Sequence, residues 1–462
     1  MLLKELLALL EALESVFSQQ RVLVRVRRQV LGMLCALGTR TIARVLAAMG
    51  RDQCEWSSEY RLFSRSPWRC RQLFFPLIKT ALPFAGPSEE AIVLAGDFTH
   101  LPKTGKHTPY VCCMRDPLSP AFHTNLIYGL RFLQLTLLCP FRNQDPTLPS
   151  RSLPICFESL PAVSKPGKKA TQEQWATYRA NVKQRPASRA ARQAIEALRA
   201  DFDRVGAQSR PLWVTLDGSF CNRVLMEQPI ERTELLCRCR KDAVLCHRAP
   251  QGQKSFFSKE KFCPEAVRQD EGRPWQSSSF YIGGRAHLIR FKEVREVLWQ
   301  KGSRRRPLRL IVLAPTGYRL HVQGRLLYRQ PAYILSTDLN SPVQKLITAY
   351  LDRWQIEINH REEKTTMGLG DAQVRNTNSV PRQPAFVVAI YSMLLLAALK
   401  AYGPTRTTDY LPPPKWIRHP SSRPSCLEIV SLLRAQMLEN SEQLARYEID
   451  TSALDLVLKA AA

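Results

Sequence analysis

The stretch from Tyr350 to Lys364 reads Tyr-Leu-Asp-Arg-Trp-Gln-Ile-Glu-Ile-Asn-His-Arg-Glu-Glu-Lys. Neither Gly nor Pro interrupts it, and Ser341-Pro342 just upstream offers an N-cap with proline at the first helical position, so the stretch is predicted as one helix. At about 100° per residue, Tyr350, Arg353, Glu357 and Lys364 fall within a wedge of roughly 60° and share a face. Beside that face Ile347, Leu351, Trp354 and Ile358 make the stripe of a helix packed on a core. A carboxylate flanked by Arg, Lys and Tyr suits chemistry on phosphate: the acid can hold a metal while the cations and the phenol hold phosphate oxygens. A surface helix with ordinary ion pairs is the competing reading.

What the rest of the chain delivers to Glu357 weighs against that competitor. Ala91-Ile-Val-Leu-Ala-Gly-Asp97 and Leu212-Trp-Val-Thr-Leu-Asp217 are continuous apolar runs, each closed by an aspartate. Such runs suit strands buried on both faces, and groups at strand ends are where α/β sheets carry their sites. One aspartate after a strand is ordinarily a cap or a turn residue; two at the same end say more. Asp97, Asp217 and Glu357 are therefore the candidate catalytic and metal-holding acids. Two Mg²⁺ ions about 4 Å apart, with Mn²⁺ as a substitute, would make the attacking oxygen of a phosphodiester cleavage more anionic and neutralise the leaving one. Hard cations of this kind take carboxylate oxygens, not thiols.

The spacing Tyr-x2-Arg-x3-Glu-x6-Lys resembles the YREK signature of DDE transposases from bacterial insertion sequences of the four type. The words "RWQIEINHREEK", "MGLGDAQVRN" and "PRQPAFVVAIYSMLLLAAL" resemble the branch named after insertion sequence 701. The likeness covers nearly the whole chain. It implies that Asp97 in "GDFTHLPKTGK", Asp217 in "VTLDGSFCN" and Glu357 form the DDE triad of a ribonuclease-H-like core, and that Tyr350, Arg353 and Lys364 hold DNA phosphates. It implies nicking at terminal inverted repeats and attack of the freed 3′ hydroxyl on target DNA, through a hairpin in some relatives, with a homodimer joining two ends. The family also uses a Trp of the inserted domain to hold a flipped base; Trp299 and Trp275 are candidates, and no motif chooses between them or against a core role for each.

Charge agrees with a polyanionic partner. The 462 residues carry 67 Lys+Arg against 40 Asp+Glu, a formal net charge of +27, which concentrates nucleic acid or an anionic membrane. Membrane is the weaker choice. Lys4, Glu5, Glu11 and Glu14 make the N-terminal apolar stretch an amphipathic helix rather than a signal peptide, and Phe386 to Leu399 is short for a bilayer. The expectation is a cytoplasmic, nucleoid-associated bacterial protein without a membrane partner. Thirteen irregularly spaced cysteines fit a reducing compartment. Cys237, Cys239, Cys246, His247 and Cys263 match no common zinc pattern and are taken as buried or free thiols.

The expected class is α/β: a ribonuclease-H-like catalytic core, a mostly β insertion between the second Asp and the Glu, and helical N- and C-terminal regions. Residues 1–86 read as a helical DNA-binding region. Arg21, Arg25, Arg27 and Arg28 lie on its second helix, and Thr39 to Gly50 with Trp56 to Phe63 offers a helix-turn-helix. Residues 87–230 are the first part of the core, with a strand at 132–138 and Thr99, Lys103 and Lys106 in a turn. The same part holds a basic loop at 164–169 and one long basic helix from Gln172 to Val205 carrying Arg185, Arg189, Arg192, Arg199 and Arg204. Residues 231–338 are the insertion, with strands near 235–239, 308–313 and 332–336 and a basic run, Lys301 to Arg306, facing DNA. Residues 339–402 complete the core, and 403–462 are a Pro-rich connector and helical tail. Two other functions fit the same residues: a domesticated, non-cutting DNA-binding protein, and a ribonuclease-H-like nuclease without strand transfer.

Overall fold

Strands without polar alternation need cover on both faces, and the sheet at the centre of this computed structural model has it. Residues 1–459 are described, except 106, 117, 118, 121, 144, 162, 164, 185, 283, 284, 320–322, 418 and 419. Lys106, Ser164 and Arg185 therefore lie outside the described residues.

Five helices come first: α1 (Leu2–Glu11), α2 (Gln20–Cys35), α3 (Ile42–Ala48), α4 (Ser57–Ser64) and α5 (Phe75–Ala81). All the leucines of α1 are buried. Two arginines of α2, read as DNA-facing, are buried instead: Arg27 sits 2.9 Å from Glu14, and Arg28 is shared between Glu59 of α4 and Glu448 near the C-terminus. A charge removed from water has to be paired. These two hold helices together.

Then follow β1 (Ile92–Pro102), β2 (Cys112–Arg115), β3 (Leu126–Cys139), β4 (Arg151–Ser159), α6 (Gln172–Lys183), α7 (Pro186–Arg204), β5 (Leu212–Leu216), α8 (Arg223–Met226) and β6 (Thr233–Arg238). The single helix expected over Gln172–Val205 is two, because Pro186 cannot donate an interior helical hydrogen bond and opens α7 as its first residue. Within α7, Arg199 is buried and donates to the carbonyls of Ala207 and Arg210, while Arg192 donates to those of Gln228 and Pro229. Neither is simply solvated charge.

The strand order is β2-β3-β1-β5-β6, with β4 also on β3, and beyond β6 it continues with β12 (Ala332–Ser336), β9 (Pro307–Leu313), β8 (Arg285–Leu298) and β7 (Gln276–Ile282). β5 lies parallel to β1 and β6 parallel to β5, while β3 is antiparallel to β1. β1 does not end at Asp97, since β3 pairs with it as far as Pro102; what ends there is the pairing with β5, at Gly96 and Leu216.

The strands after α9 (Pro264–Gln269) continue the same sheet: β7 (Gln276–Ile282), β8 (Arg285–Leu298), β9 (Pro307–Leu313) and β12 (Ala332–Ser336), with β10 (Gly317–Tyr318) and β11 (Leu327–Tyr328) pairing apart. In the basic run, Arg304 pairs with Glu227 at 2.5 Å, Arg306 lies 3.5 Å from Glu234, and Arg305 lies over Phe256.

α10 (Val343–Asp352) and α11 (Gln355–Thr365) replace the single helix expected over Tyr350–Lys364. Between them the amides of Arg353, Trp354, Ile356 and Glu357 bond three residues back instead of four. This tighter turn advances the helical phase. In consequence Ile347 is buried but Trp354 is 54% exposed, and the buried positions of α11 are Ile356, Asn359 and Glu363. Ser341 does not cap α10; its hydroxyl donates to Asp338 Oδ2 at 2.7 Å.

α12 (Ser379–Tyr402) and α13 (Cys426–Glu439) complete the helical layer. α12 runs well beyond the apolar stretch 386–399 and is long and apolar enough to cross a membrane, but 83% of its most apolar 18 residues are buried within the protein, and it packs against α1 and β4. Alternate strand residues go to opposite cores. Leu94, Val214 and Leu216 belong to the main core together with Ile195, Leu198 and Phe202 of α7, whereas Trp213 and Leu236 belong to a second core with Leu346 and Ile347 of α10.

Candidate active site

The last parallel pair, Gly96 with Leu216, fixes what comes next: Asp97 and Asp217 leave adjacent strands side by side. Gly96 leaves room there for the leucine side chains of the neighbouring strands. A Cβ there would stand 2.6 Å from Leu216 Cδ2 and 2.7 Å from Leu135 Cδ2. Asp97 Oδ1 accepts the Phe98 amide at 2.7 Å. Asp217 precedes the turn 218–220 but makes no side-chain capping bond, so the ordinary role of such an aspartate is not filled.

Arg353 lies in the tight turn between α10 and α11 and reaches two of the acids. Its Nη1 is 3.7 Å from Asp97 Oδ2 and its Nη2 is 3.4 Å from Glu357 Oε1. The guanidinium also lies 5.9 Å from the centre of the Tyr350 ring. Burial pushes Asp97 up to about 6; Arg353 and the Phe98 amide oppose the rise, and the charges of Asp217 and Glu357 add to it. Burial likewise raises Glu357, against Arg353 and with Asp217. The phenol of Tyr350 is raised by burial, and it too feels Arg353 and Asp217. Five of the six residues singled out by spacing thus act on one another electrostatically. Lys364, two turns past Glu357, is exposed, and its charge acts on His100 and His360.

The three acids supply only carboxylate oxygens, the donor set that hard divalent cations take. Their mutual repulsion is what such a cation would relieve. Among the described residues no three His, Cys, Asp or Glu side chains stand at metal-holding spacing, and the charge between Asp97 and Glu357 is met by Arg353.

Trp275 and Trp299 are half-buried against the main core. Lys292 Nζ lies 4.7 Å from the Trp275 ring, and Trp299 lies so close over Gly302 that no side chain would fit there. The exposed tryptophan beside the acids is Trp354, which spacing had assigned to the dry stripe. Cys237, Cys239 and Cys246 are buried, with the first two thiols pushed up by burial, and Cys263 Sγ caps α9 by accepting the Ala266 amide.

Sequence reasoning missed the polar layer behind Asp97. Gln134 pairs with Asp97 across the ladder, and its Nε2 donates to Glu363 Oε1 at 2.8 Å. Glu363 is fully buried, and burial pushes it up to about 8. Glu363 Oε2 and Gln134 Oε1 are both buried without partners; a proton on Glu363 supplies the donor that neither has. Four residues back, Asn359 Nδ2 donates to Thr136 Oγ1 at 3.2 Å, and its Oδ1 accepts Ser152 Oγ at 2.8 Å and the Tyr391 hydroxyl at 3.1 Å. This network fastens α11 to β3, β4 and α12, and so holds Glu357. The available signal was the buried-helix spacing of Ile356, Asn359 and Glu363, with polar residues in two of its three places. Arg238 at the end of β6 was also missed. It lines a cleft with Asp217, and its charge reaches Tyr350, but no motif marks it.

A family model described as DDE superfamily endonuclease matches residues 13–306, a span that contains Asp97 and Asp217 and ends ahead of Glu357. No curated protein matches the chain.

Proposed function

Because this chain belongs to the DDE superfamily endonucleases, we propose that it is a DNA transposase of the YREK type, close to the insertion sequence 701 branch. It would cut at the terminal inverted repeats of its element and join the 3′ ends to target DNA, as a homodimer in the bacterial cytoplasm. The observation that carries this reading is the register Gly96 with Leu216, which sets Asp97 beside Asp217, together with the reach of Arg353 to both Asp97 and Glu357. The order β4-β3-β1-β5-β6, with β3 alone antiparallel to β1 and the others of the β1-β5-β6 set parallel, supports a ribonuclease-H-like core.

The superfamily generally works with divalent metals, and Asp97, Asp217 and Glu357 would hold them here, Mg²⁺ in the cell and Mn²⁺ as a substitute. When bound, the ions make the attacking oxygen more anionic and neutralise the leaving one. The chain's own part is positioning. Arg353 holds the carboxylates of Asp97 and Glu357 until substrate arrives and then offers its fork to a phosphate. Tyr350 borders the same space, and Lys364 extends the cationic line along α11. The Gln134–Glu363 and Asn359 contacts keep the acids in register from behind.

The test is strand cleavage on duplexes carrying the sequences that flank the coding region. With Mg²⁺ the wild type should nick them and join the 3′ ends to a second duplex, and Asp97→Asn, Asp217→Asn and Glu357→Gln should bind without cutting. Cleavage without joining would leave a plain nuclease, and binding unaffected by any metal would leave a non-cutting DNA-binding protein.

A further inference from the structure

A cleft of about 590 Å³ opens on the face of β1 opposite the one Asp97 presents to Arg353, because Phe98 on its wall is the next residue along the strand. Its walls include Phe98, which follows Asp97, and Ser219, two residues after Asp217, together with Arg131, Ser159 and Asn222. A volume near the middle of the roughly 300–1,000 Å³ range of ligand sites is room for a piece of a nucleotide chain.

Among the described residues Arg131 is the one arginine on this wall, and its surroundings are built to hold it without consuming it. Its guanidinium carbon lies 3.9 Å above the centre of the Phe98 ring, and Phe98 stacks on Phe220 at 4.2 Å with 22° between the planes. Stacking fixes the plane of a guanidinium and leaves its N–H groups in that plane unused. Its Nε is buried with no acceptor, and among the described residues no carboxylate lies within 4 Å of it. The nearest strand partner is His100, directly across the ladder. Asp97 acts on it only at longer range. A cation half-withdrawn from water and left unpaired is costly unless an anion completes it. The platform also ties it to the chemistry, because Phe98 and Phe220 come from the β1 strand and the turn after β5 that carry the two aspartates.

We infer that the Arg131 cleft is a second DNA subsite, in which Arg131 binds a backbone phosphate of the strand on the far side of the acids from Arg353. This rests on the transposase reading and adds to it a residue and a strand path that the YREK positions do not include. The strand would then be gripped on both sides of the cut, by Arg353 on the α10–α11 side and by Arg131 on the α7 side. Such a two-sided hold fixes the direction of the scissile bond as well as its position.

The experiment is DNA binding by the full chain over a salt series, with a fluorescent mixed-sequence duplex as the probe, followed by Mg²⁺-dependent cleavage of the flanking-sequence duplexes. Arg131→Ala should bind about tenfold more weakly at low salt, with a log–log salt slope shallower by about one, the effect of one lost phosphate contact. Arg131→Lys keeps the charge but loses the stacked fork, so it should keep the slope and still cut more slowly; it also serves if the alanine variant fails to fold. Arg295→Ala, which removes an exposed arginine already paired with Glu293, should leave both binding and cleavage unchanged. If Arg131→Ala and Arg131→Lys both bind and cut like the wild type, the subsite is refuted while the transposase reading stands. If the wild type itself binds no DNA, both fall together.

Discussion

Asp97 and Asp352 are both raised above the ordinary aspartate range by burial, yet one is built as an anchor and the other as a working group. Asp352 closes α10. Its carboxylate takes Arg142 Nη2 at 2.5 and 2.6 Å and the Ser150 hydroxyl at 2.9 Å, so both oxygens are occupied and the charge is met. Asp97 has its nearest cation at 3.7 Å and two other acids adding to its rise. A saturated acid stabilises; an acid left short of partners among its own kind is held ready for something that is not in the chain.

The largest effects should come from the short-changed end. Asp97→Asn, Asp217→Asn or Glu357→Gln should lower cleavage on the order of a thousandfold, the scale of losing a group that meets developing charge, while thermal melting stays near the wild type. Activity loss with a collapsed melting point would erase the contrast. At the anchored end the outcome reverses: Asp352→Ala leaves Arg142 uncompensated and should cost about 3 kcal/mol in urea unfolding, with specific activity per folded molecule retained.

The pH dependence sharpens the comparison. Folded Glu363 keeps its proton up to about pH 8, whereas the unfolded chain loses it near 4.5, so the folded state binds more protons in that window and stability falls as pH rises through it. Glu363→Gln should flatten that slope by an amount on the order of a few kcal/mol across the window, seen in denaturation at pH 5 and pH 8; an unchanged slope would mean Glu363 is ionised when folded. The smallest effect is on Asp97 itself. Removing Arg353, the main influence opposing its rise, should move Asp97 further up, and an NMR titration of the Arg353→Ala protein should show the acid titrating above the wild-type value of about 6. A downward move would contradict the ion pair.

The placing of Asp97 and Asp217 on adjacent strands was legible because each signal is local: an apolar run, an aspartate, and a glycine before or after it. The turn at Arg353 was not, since nothing in Tyr350–Lys364 breaks a helix and the shortened hydrogen bonds follow from how α10 and α11 dock on separate parts of the core. The same limit explains Arg27 and Arg28. Their partners Glu59 and Glu448 are far away in sequence, so buried ion pairs looked like a DNA-facing surface. Gln134 lies inside an apolar strand and Glu363 inside a charged helix, and only their meeting behind Asp97 makes either informative. By contrast, the split before α7 is local, since Pro186 by itself marks a helix start.

The most direct measurement is Mg²⁺-dependent nicking of one DNA substrate by four variants side by side: Asp97→Asn, Asp217→Asn, Glu357→Gln and Asp352→Asn. The account predicts that the first three bind and do not cut, while Asp352→Asn cuts at the wild-type rate per folded molecule. Cutting by any of the first three at that rate would contradict a shared site at residues 97, 217 and 357.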